Sequence, residues 1–388
     1  MVMSLALTPL PLPAGVRSRI TDNGNGLQMH WLEAGFEDPG RPLVLLLHGF
    51  PELAFSWRHQ MLPLAALGFH VVAPDQRGYG RTTGGDARYD GDVASFRMLN
   101  LVRDALGLVF ALGYRSVAAV VGHDFGSPVA AWCALVRPDV FRSVVMMSAP
   151  FSGPPAMPFD TVGQDAMERT PVISMISVLD ELAALPRPRK HYQWYYGTPE
   201  AAPDMDGARQ GLHDFLRAYY HHKSADWPGN LPHPLAGLSA VSLAELPTYY
   251  VMDAAKNMAT TVTDEMPSQA AIDACTWLPD DDLRVYAQEY ARTGFQGGLQ
   301  WYRCATSPRF MAELQTFGGK TIDVPSCFIA GRQDWGVFQQ PGAFEAMQGK
   351  ACTRLRGVHL IQGAGHWVQQ EQPAAVSLHL SEFLDGPR

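Results

Sequence analysis

The stretch Val121-Gly122-His123-Asp124-Phe125-Gly126 decides how this chain is interpreted. Its pattern, a nucleophile between two glycines, is typical of a sharp turn from a buried strand into a helix, with the nucleophile exposed at the turn. The apolar run 116–121 fits a buried parallel strand, and 127–136 has helical character with Pro128 in the first turn. An aspartate in a position usual for serine indicates attack on saturated carbon, which would give an ester on Asp124.

Composition limits the class of protein. The 388 residues suffice for more than one layer or domain, and 47% hydrophobic with 18% charged residues is typical of a globular enzyme. A net charge of −8 argues against nucleic acid or an anionic membrane surface as partner, and no apolar run has the length of a membrane span. The five cysteines are scattered, so we expect no disulfide framework, no zinc site and a cytoplasmic location. No cofactor is expected, and the oligomeric state stays open, a homodimer included.

Strand and helix patterns alternate at both ends of the chain. Strand patterns lie at 27–33, 42–47, 69–73, 116–121, 141–148, 326–330 and 358–361, with helical stretches at 57–67, 95–112 and 373–384. This alternation predicts an α/β fold, a mostly parallel sheet with helices on both faces. Between them, 151–316 is rich in helix formers and contains no convincing buried strand. We therefore expect a discontinuous core, 1–150 and 317–388, interrupted by a helical cap domain over 151–316.

Further polar residues follow predicted strands at the edge of the sheet where ligands bind in open α/β folds. Asp334 follows the strand at 326–330, and His366 follows the next strand on a glycine-rich loop. The order nucleophile, acid, histidine matches the triad of the α/β-hydrolase fold, in which His366 would activate water and Asp334 would orient it. The backbone N–H groups of Phe50 and Phe125 are predicted to form an oxyanion hole.

Three other polar motifs are expected to be structural. Asp75–Gly80 follows a strand but has no nucleophile partner, which favours a structural turn. The adjacent pair His221-His222 resembles a metal site only superficially, because neighbours on a helix point about 100° apart, and we expect it at the surface. The acidic run 280–282 is expected to be solvated surface or a helix N-terminus.

With these residues assembled, the chain resembles the epoxide hydrolases of the α/β-hydrolase superfamily over nearly its whole length. The motifs that carry the resemblance are His48-Gly-Phe-Pro-Glu52, Ser56-Trp-Arg-His-Gln60, Asp75-Gln-Arg-Gly-Tyr-Gly80, Gly122-His-Asp-Phe-Gly126, Gly365-His-Trp367, His191-Tyr-Gln-Trp-Tyr195 and Gly294-Phe-Gln-Gly-Gly-Leu-Gln-Trp-Tyr-Arg303. The resemblance implies that the phenols of Tyr192 and Tyr302 hydrogen-bond the epoxide oxygen, with Tyr195 or Tyr196 as alternatives to Tyr192. The sequence departs from many relatives at Phe125, where they carry tryptophan, and its cap is longer than usual.

The resemblance implies a small apolar epoxide and water as substrates, a vicinal diol as product, and no cofactor. Trp194, Tyr195 and Trp367 are candidate substrate-binding residues on its basis. A haloalkane or haloacid dehalogenase with the same Asp nucleophile is an alternative, although Phe125 offers no side-chain donor for a halide. A second alternative is a catalytically silent small-molecule-binding protein on the same scaffold.

Overall fold

The structure is a computed structural model that describes residues 7–157 and 175–386. Ten strands lie in the described ranges: β1 (Arg17–Asp22), β2 (Gln28–Ala34), β3 (Leu43–Leu47), β4 (His70–Pro74), β5 (Ala119–His123), β6 (Val144–Met147), β7 (Arg189–His191), β8 (Val251–Asp253), β9 (Ser326–Gly331) and β10 (Leu355–Ile361). Eight of them form one sheet in the order β1-β2-β4-β3-β5-β6-β9-β10, while β7 and β8 pair separately. The pairs β1–β2 and β2–β4 are antiparallel, and the remaining neighbours of the large sheet are parallel.

The helices divide between the sheet and the long insertion that follows β6. Those of the sheet region are α1 (Arg58–Ala66), α2 (Met98–Ala111), α3 (Gly126–Val136), α14 (Ala343–Ala346), α15 (Val368–Glu371) and α16 (Pro373–Asp385). The insertion contains α4 (Met175–Ala183), α5 (Tyr192–Tyr196), α6 (Ala201–Asp206), α7 (Leu212–Lys223), α8 (Ala240–Leu243), α9 (Met258–Thr263), α10 (Gln269–Ala274), α11 (Asp280–Thr293), α12 (Gln296–Ala305) and α13 (Pro308–Leu314). Within the described ranges no helix is long and apolar enough to span a bilayer.

Helices cover the sheet on both faces. The five residues of β3 are all buried, and they alternate between two apolar cores because successive side chains of a strand point to opposite faces. Leu43, Leu45 and Leu47 pack with the apolar residues of α2 and α3. Val44 and Leu46 pack with those of α1 and α16. The continuous apolar runs seen in the sequence are therefore strands buried on two sides.

The strand order brings the predicted site residues to one edge. From β3 the chain crosses to β4 on one side and returns to β5 on the other, so the loops after β3 and β5 diverge at a switch point. Phe50 follows β3 and Asp124 follows β5, while Asp334 and His366 follow β9 and β10. All four strands run parallel within the sheet, so these residues meet at its carboxyl edge.

Three strands were not predicted, for physical reasons that can be named. The edge strand β1 has mostly exposed side chains, so it lacks an apolar period. The strands β7 and β8 contradict the expectation that the insertion holds no buried strand. Each has three residues, too few to show an alternation, and its partner lies about 60 positions away in the chain.

The surface prediction for the histidine pair is wrong for His222. Its ring is fully buried and packs against Trp227 and Tyr249, with centroid separations of 4.5 and 4.8 Å. Burial lowers its pKa to about 3. The helix α7 is buried around most of its circumference because it packs between other helices of the insertion and the sheet region, and an amphipathic pattern cannot reveal that.

The other two structural motifs have the expected character. The fully buried Asp75 accepts hydrogen bonds from the backbone N–H groups of Ala54 and Arg81, each at 2.9 Å. In the same turn, a Cβ at Gly78 would lie 2.5 Å from the carbonyl oxygen of Gly297, so glycine allows the turn to touch α12 of the insertion. The acidic run forms the N-terminus of α11.

Candidate active site

The turn after β5 holds Asp124 in a strained conformation. Its backbone φ is +51°, a left-handed value that is uncommon for residues other than glycine. The flanking glycines are required by close approach. A Cβ at Gly122 would lie 2.0 Å from the carbonyl oxygen of Gly126, and one at Gly126 would lie 2.3 Å from that of Leu47. The predicted strand–turn–helix is therefore present, with the aspartate at its apex.

Each oxygen of the Asp124 carboxylate has its own partner. The backbone N–H of Phe50 donates to Oδ1 at 2.9 Å, and Nε2 of His366 lies 3.1 Å from Oδ2. On the other side of the ring, Nδ1 lies 3.1 Å from Oδ1 of Asp334, which also accepts the N–H of Gly336 at 2.7 Å. The imidazole thus bridges two buried carboxylates, one at each ring nitrogen.

Both carboxyl groups are ionised at neutral pH. Burial alone would raise the pKa of Asp124, but the hydrogen bond and charge of His366, aided by Lys223, hold it well below its usual range. Burial likewise opposes ionisation of Asp334, and the neighbouring His366 nonetheless lowers its pKa. The charged form is the one that a nucleophile and an orienting acid require.

The backbone around Phe50 is arranged as an anion-binding turn. The N–H of Phe50 points at Asp124, and the preceding N–H, of Gly49, donates to Oε2 of Glu52 at 3.1 Å. A Cβ at Gly49 would lie 2.4 Å from both Cβ and Oδ1 of Asp124, so only glycine leaves space for the carboxylate. Phe125 is the N-cap residue of α3. The participation of its backbone N–H in an oxyanion hole stays a prediction.

The rings of Tyr192 and Tyr302 are close together beside this carboxylate, with centroids 5.9 Å apart. Tyr302 also packs edge-on against Phe50 at 5.7 Å and Phe125 at 5.2 Å, the two residues that flank the carboxylate. The Tyr192 hydroxyl donates to Oε1 of Gln339 at 3.1 Å. Burial, and next the charge of Asp124, raises the pKa of both phenols well above 10, so both keep their protons.

The alternative phenols have other partners. The hydroxyl of Tyr195 donates to Oδ2 of Asp204 at 2.7 Å, and that of Tyr196 lies 3.1 Å from the hydroxyl of Tyr219. Tyr195 and Trp194 line a separate cavity of about 1190 Å³ that none of the five predicted catalytic residues lines. The structure therefore does not bring these two substrate-binding candidates to the nucleophile.

Trp367, the third substrate-binding candidate, packs against His366, the predicted base. It is fully buried, its ring lies 4.7 Å from that of His366, and its indole N–H donates to the carbonyl of Tyr220 at 2.8 Å. This arrangement supports the imidazole.

Comparison with known proteins identifies the family of the chain. A family model described as the alpha/beta hydrolase fold matches residues 42–169. The chain is similar to epoxide hydrolase A of Mycobacterium tuberculosis, at 34% identity over 95% of this chain and 97% of that protein. It is also similar to two solved structures. One is an epoxide hydrolase from an endophytic Streptomyces (TM-score 0.74, 31% identity, covering 96% of each chain), and the other is potato (Solanum tuberosum) epoxide hydrolase I (TM-score 0.70, 28% identity, covering 95% of this chain and 99% of that one).

The chain belongs to the epoxide hydrolase family. The predicted family, its α/β-hydrolase fold and the assignment to hydrolytic enzymes are thereby confirmed. The roles of the individual residues rest on the distances and contacts described above.

In this member of the epoxide hydrolase family, a buried polar network lies next to Asp124 and His366. The sequence did not predict this network. Nδ1 of His123 lies 2.5 Å from Oε2 of Glu52, and its Nε2 lies 2.7 Å from the carbonyl oxygen of His366. Burial opposes the charge on both groups, yet their pairing raises the pKa of His123 and lowers that of Glu52. Both residues stand in quoted motifs. A histidine that ends an otherwise apolar strand was the available signal.

A second carboxylate that the sequence did not predict, that of Glu371, holds the loop of His366 in place. Glu371 accepts backbone N–H groups from Gly365 and Trp367, each at 2.9 Å, and from Ala225 at 2.8 Å. It thus ties the loop on both sides of His366 to the segment that follows α7. Burial raises its pKa to about 8, against the opposing effect of the three N–H donors.

Proposed function

We propose that the chain hydrolyses a small epoxide to a vicinal diol through a covalent ester on Asp124. One observation carries the proposal. The buried carboxylate has Oδ1 on the N–H of Phe50 and Oδ2 on the ring of His366, beside the phenol-bearing ring of Tyr302. A nucleophile, a base and a donor for a leaving oxygen therefore surround one point.

In the first half-reaction, Oδ2 of Asp124 attacks an epoxide carbon while Oδ1 stays on its backbone donor. The new C–O bond forms as the strained C–O bond of the ring breaks. The electron pair of that bond goes to the epoxide oxygen, which takes hydrogen bonds, and then a proton, from Tyr302 and Tyr192. Their raised pKa keeps the phenols protonated until this negative charge develops.

In the second half-reaction, water attacks Cγ of the ester and His366 takes its proton. The tetrahedral intermediate carries its negative charge on Oδ1, which already faces the N–H of Phe50. Asp334 stabilises the imidazolium through Nδ1. Collapse breaks the Cγ–Oδ2 bond, and the imidazolium of His366 gives its proton to the leaving oxygen, so that the diol is released with the former aspartate oxygen. The carboxylic acid left on Asp124 returns its proton to the phenolate, which restores the resting site.

We assign the insertion over 151–316, of which 158–174 lie outside the described residues, to a cap domain whose described part supplies both phenols. The rings of Phe50, Phe125, Tyr196 and Tyr302 lie edge to face around the site, which favours an apolar substrate.

Dehalogenation receives no such support. A halide would need N–H donors beside the nucleophile. The indole N–H of Trp301, which touches Phe125, donates to the carbonyl of Arg77, and that of Trp367 is likewise used by a backbone carbonyl. The rings packed around the nucleophile therefore include two phenols for a leaving oxygen, whereas the indole N–H groups of Trp301 and Trp367 are already used by backbone carbonyls.

The test is to trap the ester. His366→Gln, incubated with styrene oxide, should gain the mass of one substrate molecule, because glutamine keeps a hydrogen bond but cannot act as the base. Asp124→Ala in the same background is the control and should stay at its own mass. If the native chain forms diol but the His366→Gln variant gains no mass, the ester is refuted.

Oxygen labelling tests the same step independently. A single turnover of the native chain in ¹⁸O-water should give unlabelled diol, with the label in Asp124. Labelled diol would mean direct attack by water. Tight ligand binding with no diol from any epoxide would instead favour a silent binding protein.

A further inference from the structure

A lysine is buried beside the site without a partner of opposite charge. Lys223, the last residue of α7, is 2% exposed. Its ammonium lies over four aromatic rings, 5.0 to 5.7 Å from the ring centroids of Tyr219, Tyr249, Tyr250 and Trp367. Among the residues that the structure describes, no hydrogen bond or ion pair to this ammonium is found.

Three of these four rings also touch residues of the proposed site. Trp367 packs on His366 with centroids 4.7 Å apart, and Tyr250 packs on Tyr192 at 5.1 Å. Tyr219 lies 6.5 Å from Phe50. A single aromatic ring thus lies between the ammonium and each of three residues of the proposed site, His366, Tyr192 and Phe50.

The backbone of the same lysine touches the base directly. The carbonyl oxygen of Lys223 accepts the N–H of His366 at 2.9 Å. The C-terminal end of α7 is thus tied to the backbone of the base itself.

Stability does not account for a charge in this place. An ammonium removed from water without a hydrogen-bonding anion is costly, and attraction to ring faces returns only part of that cost. Burial accordingly lowers the pKa of Lys223, while the charges of Asp124, Asp334 and Glu52 act in the opposite direction. An apolar side chain of similar length would fill the same space without this conflict.

We propose that Lys223 is a positioning residue whose ammonium, held over the four rings, keeps His366 unprotonated during hydrolysis of the ester. The inference rests on the proposed function. Before alkylation, His366 lies between the anions of Asp124 and Asp334. Once Asp124 is a neutral ester, one anion is gone, and the nearby cation then favours the neutral imidazole that can accept a proton from water.

Other charged groups face His366 from every element packed on it. Asp124 follows β5, and Asp334 follows β9. His123 touches the imidazole through its own ring and is paired with Glu52, so that pair is close to neutral. Glu371 binds the N–H groups on both sides of His366 and adds negative charge when ionised. Among these described residues around His366, Lys223 is thus the cation without a carboxylate in contact with it.

The experiment compares two neutral variants with one that keeps the charge. Lys223→Met and Lys223→Gln remove the ammonium, whereas Lys223→Arg retains a cation. Ester formation and ester hydrolysis are measured separately with styrene oxide by rapid quench and intact-mass analysis between pH 5 and 9. Thermal unfolding is recorded for each variant.

In both neutral variants the acid limb of the hydrolysis rate should move to higher pH by about one unit, so ester accumulates about tenfold more on that limb. Lys223→Arg should restore most of the native profile. Lys223→Met should melt no lower than the native chain, because a buried charge has been removed. A structural residue would show the opposite, a lower melting temperature and an unmoved pH profile.

Two results would overturn the inference. One is an acid limb that stays in place in both neutral variants. The other is an equal displacement in the arginine variant, which would indicate altered packing of α7. Failure of the proposed function itself is distinguishable, because then the native chain and the His366→Gln variant would form no ester.

Discussion

Replacing Tyr302 by phenylalanine removes one hydroxyl from a site whose packing is otherwise retained. The ring lies edge to face against Phe50, Phe125, Tyr192 and Tyr196 at 5.0 to 5.9 Å, and phenylalanine keeps all four contacts. What is lost is the donor to the epoxide oxygen as negative charge develops on it. A hydrogen bond to a charged group is worth about 1.5–3 kcal/mol. At about 1.4 kcal/mol per decade, Tyr302→Phe should slow ester formation by about 10- to 150-fold.

Tyr192→Phe should have the smaller effect. The Tyr192 hydroxyl already donates to Oε1 of Gln339 at 3.1 Å and accepts from Nε2 of Gln193 at 3.2 Å. To serve the epoxide oxygen it must give up the neutral acceptor Gln339, so part of the gain is offset by the hydrogen bond that is lost.

The same cluster offers a matched control. The Tyr196 hydroxyl lies 3.1 Å from that of Tyr219 and faces it, so Tyr196→Phe makes an equivalent change in the same set of rings without removing a proposed donor. All variants are made in the His366→Gln background, where the mass of the trapped ester follows the alkylation step alone. The reasoning is wrong if Tyr302→Phe forms ester at the same rate as Tyr196→Phe.

Four further outcomes follow from the site and its supports. Gly49→Ala should reduce ester formation by about 10²-fold or more, as measured by intact mass, because its Cβ would lie 2.4 Å from the Asp124 side chain; native-like alkylation would show that the turn adapts. Burial alone would raise the pKa of Asp75, but a neighbouring imidazole and backbone donors lower it to about 2. The resulting stability, about 2 kcal/mol, is present above about pH 4 and lost as pH falls toward 2, so urea unfolding of the native chain, but not of Asp75→Asn, should weaken across that interval. Tyr195→Phe should leave alkylation unchanged, since its hydroxyl binds a carboxylate of the cap; a loss like that of Tyr302→Phe would restore it as a candidate. At about pH 5 the native chain should still form ester, because the lowered pKa of Asp124 keeps the nucleophile charged; loss of alkylation at pH 5 relative to pH 8 would contradict this.

The parts of the fold that the sequence predicts are those with a short, one-dimensional signal. The turn around Asp124 is such a case, because an apolar run, two glycines and a helix occur within 21 residues. The run at 42–47 is another, since all five residues of β3 are buried on two faces. The edge strand β1 has no such signal, because its side chains mostly face solvent. The strands β7 and β8 exist only through pairing with each other.

Site residues divide in the same way. Asp334 and His366 each follow a strand that the apolar pattern marks, so their position at the sheet edge could be inferred. The partners of Glu52 and Lys223 depend on how the insertion and the loops fold back, and no local pattern shows that. Trp194 illustrates the limit from the other side. It lies two positions after Tyr192 in the chain, yet it faces a separate cavity because these residues of α5 point in different directions.

In the proposed mechanism the covalent step itself prepares the base for the next one. In the resting site each ring nitrogen of His366 faces a carboxylate, Nδ1 that of Asp334 and Nε2 that of Asp124. Alkylation turns Asp124 into an ester, which withdraws one of the anions that favour the imidazolium while leaving Asp334 to orient the ring. The site therefore needs no movement of the histidine between the two half-reactions. It needs a loss of negative charge at one contact, and the attack of the nucleophile produces that loss at the moment when a neutral base is required.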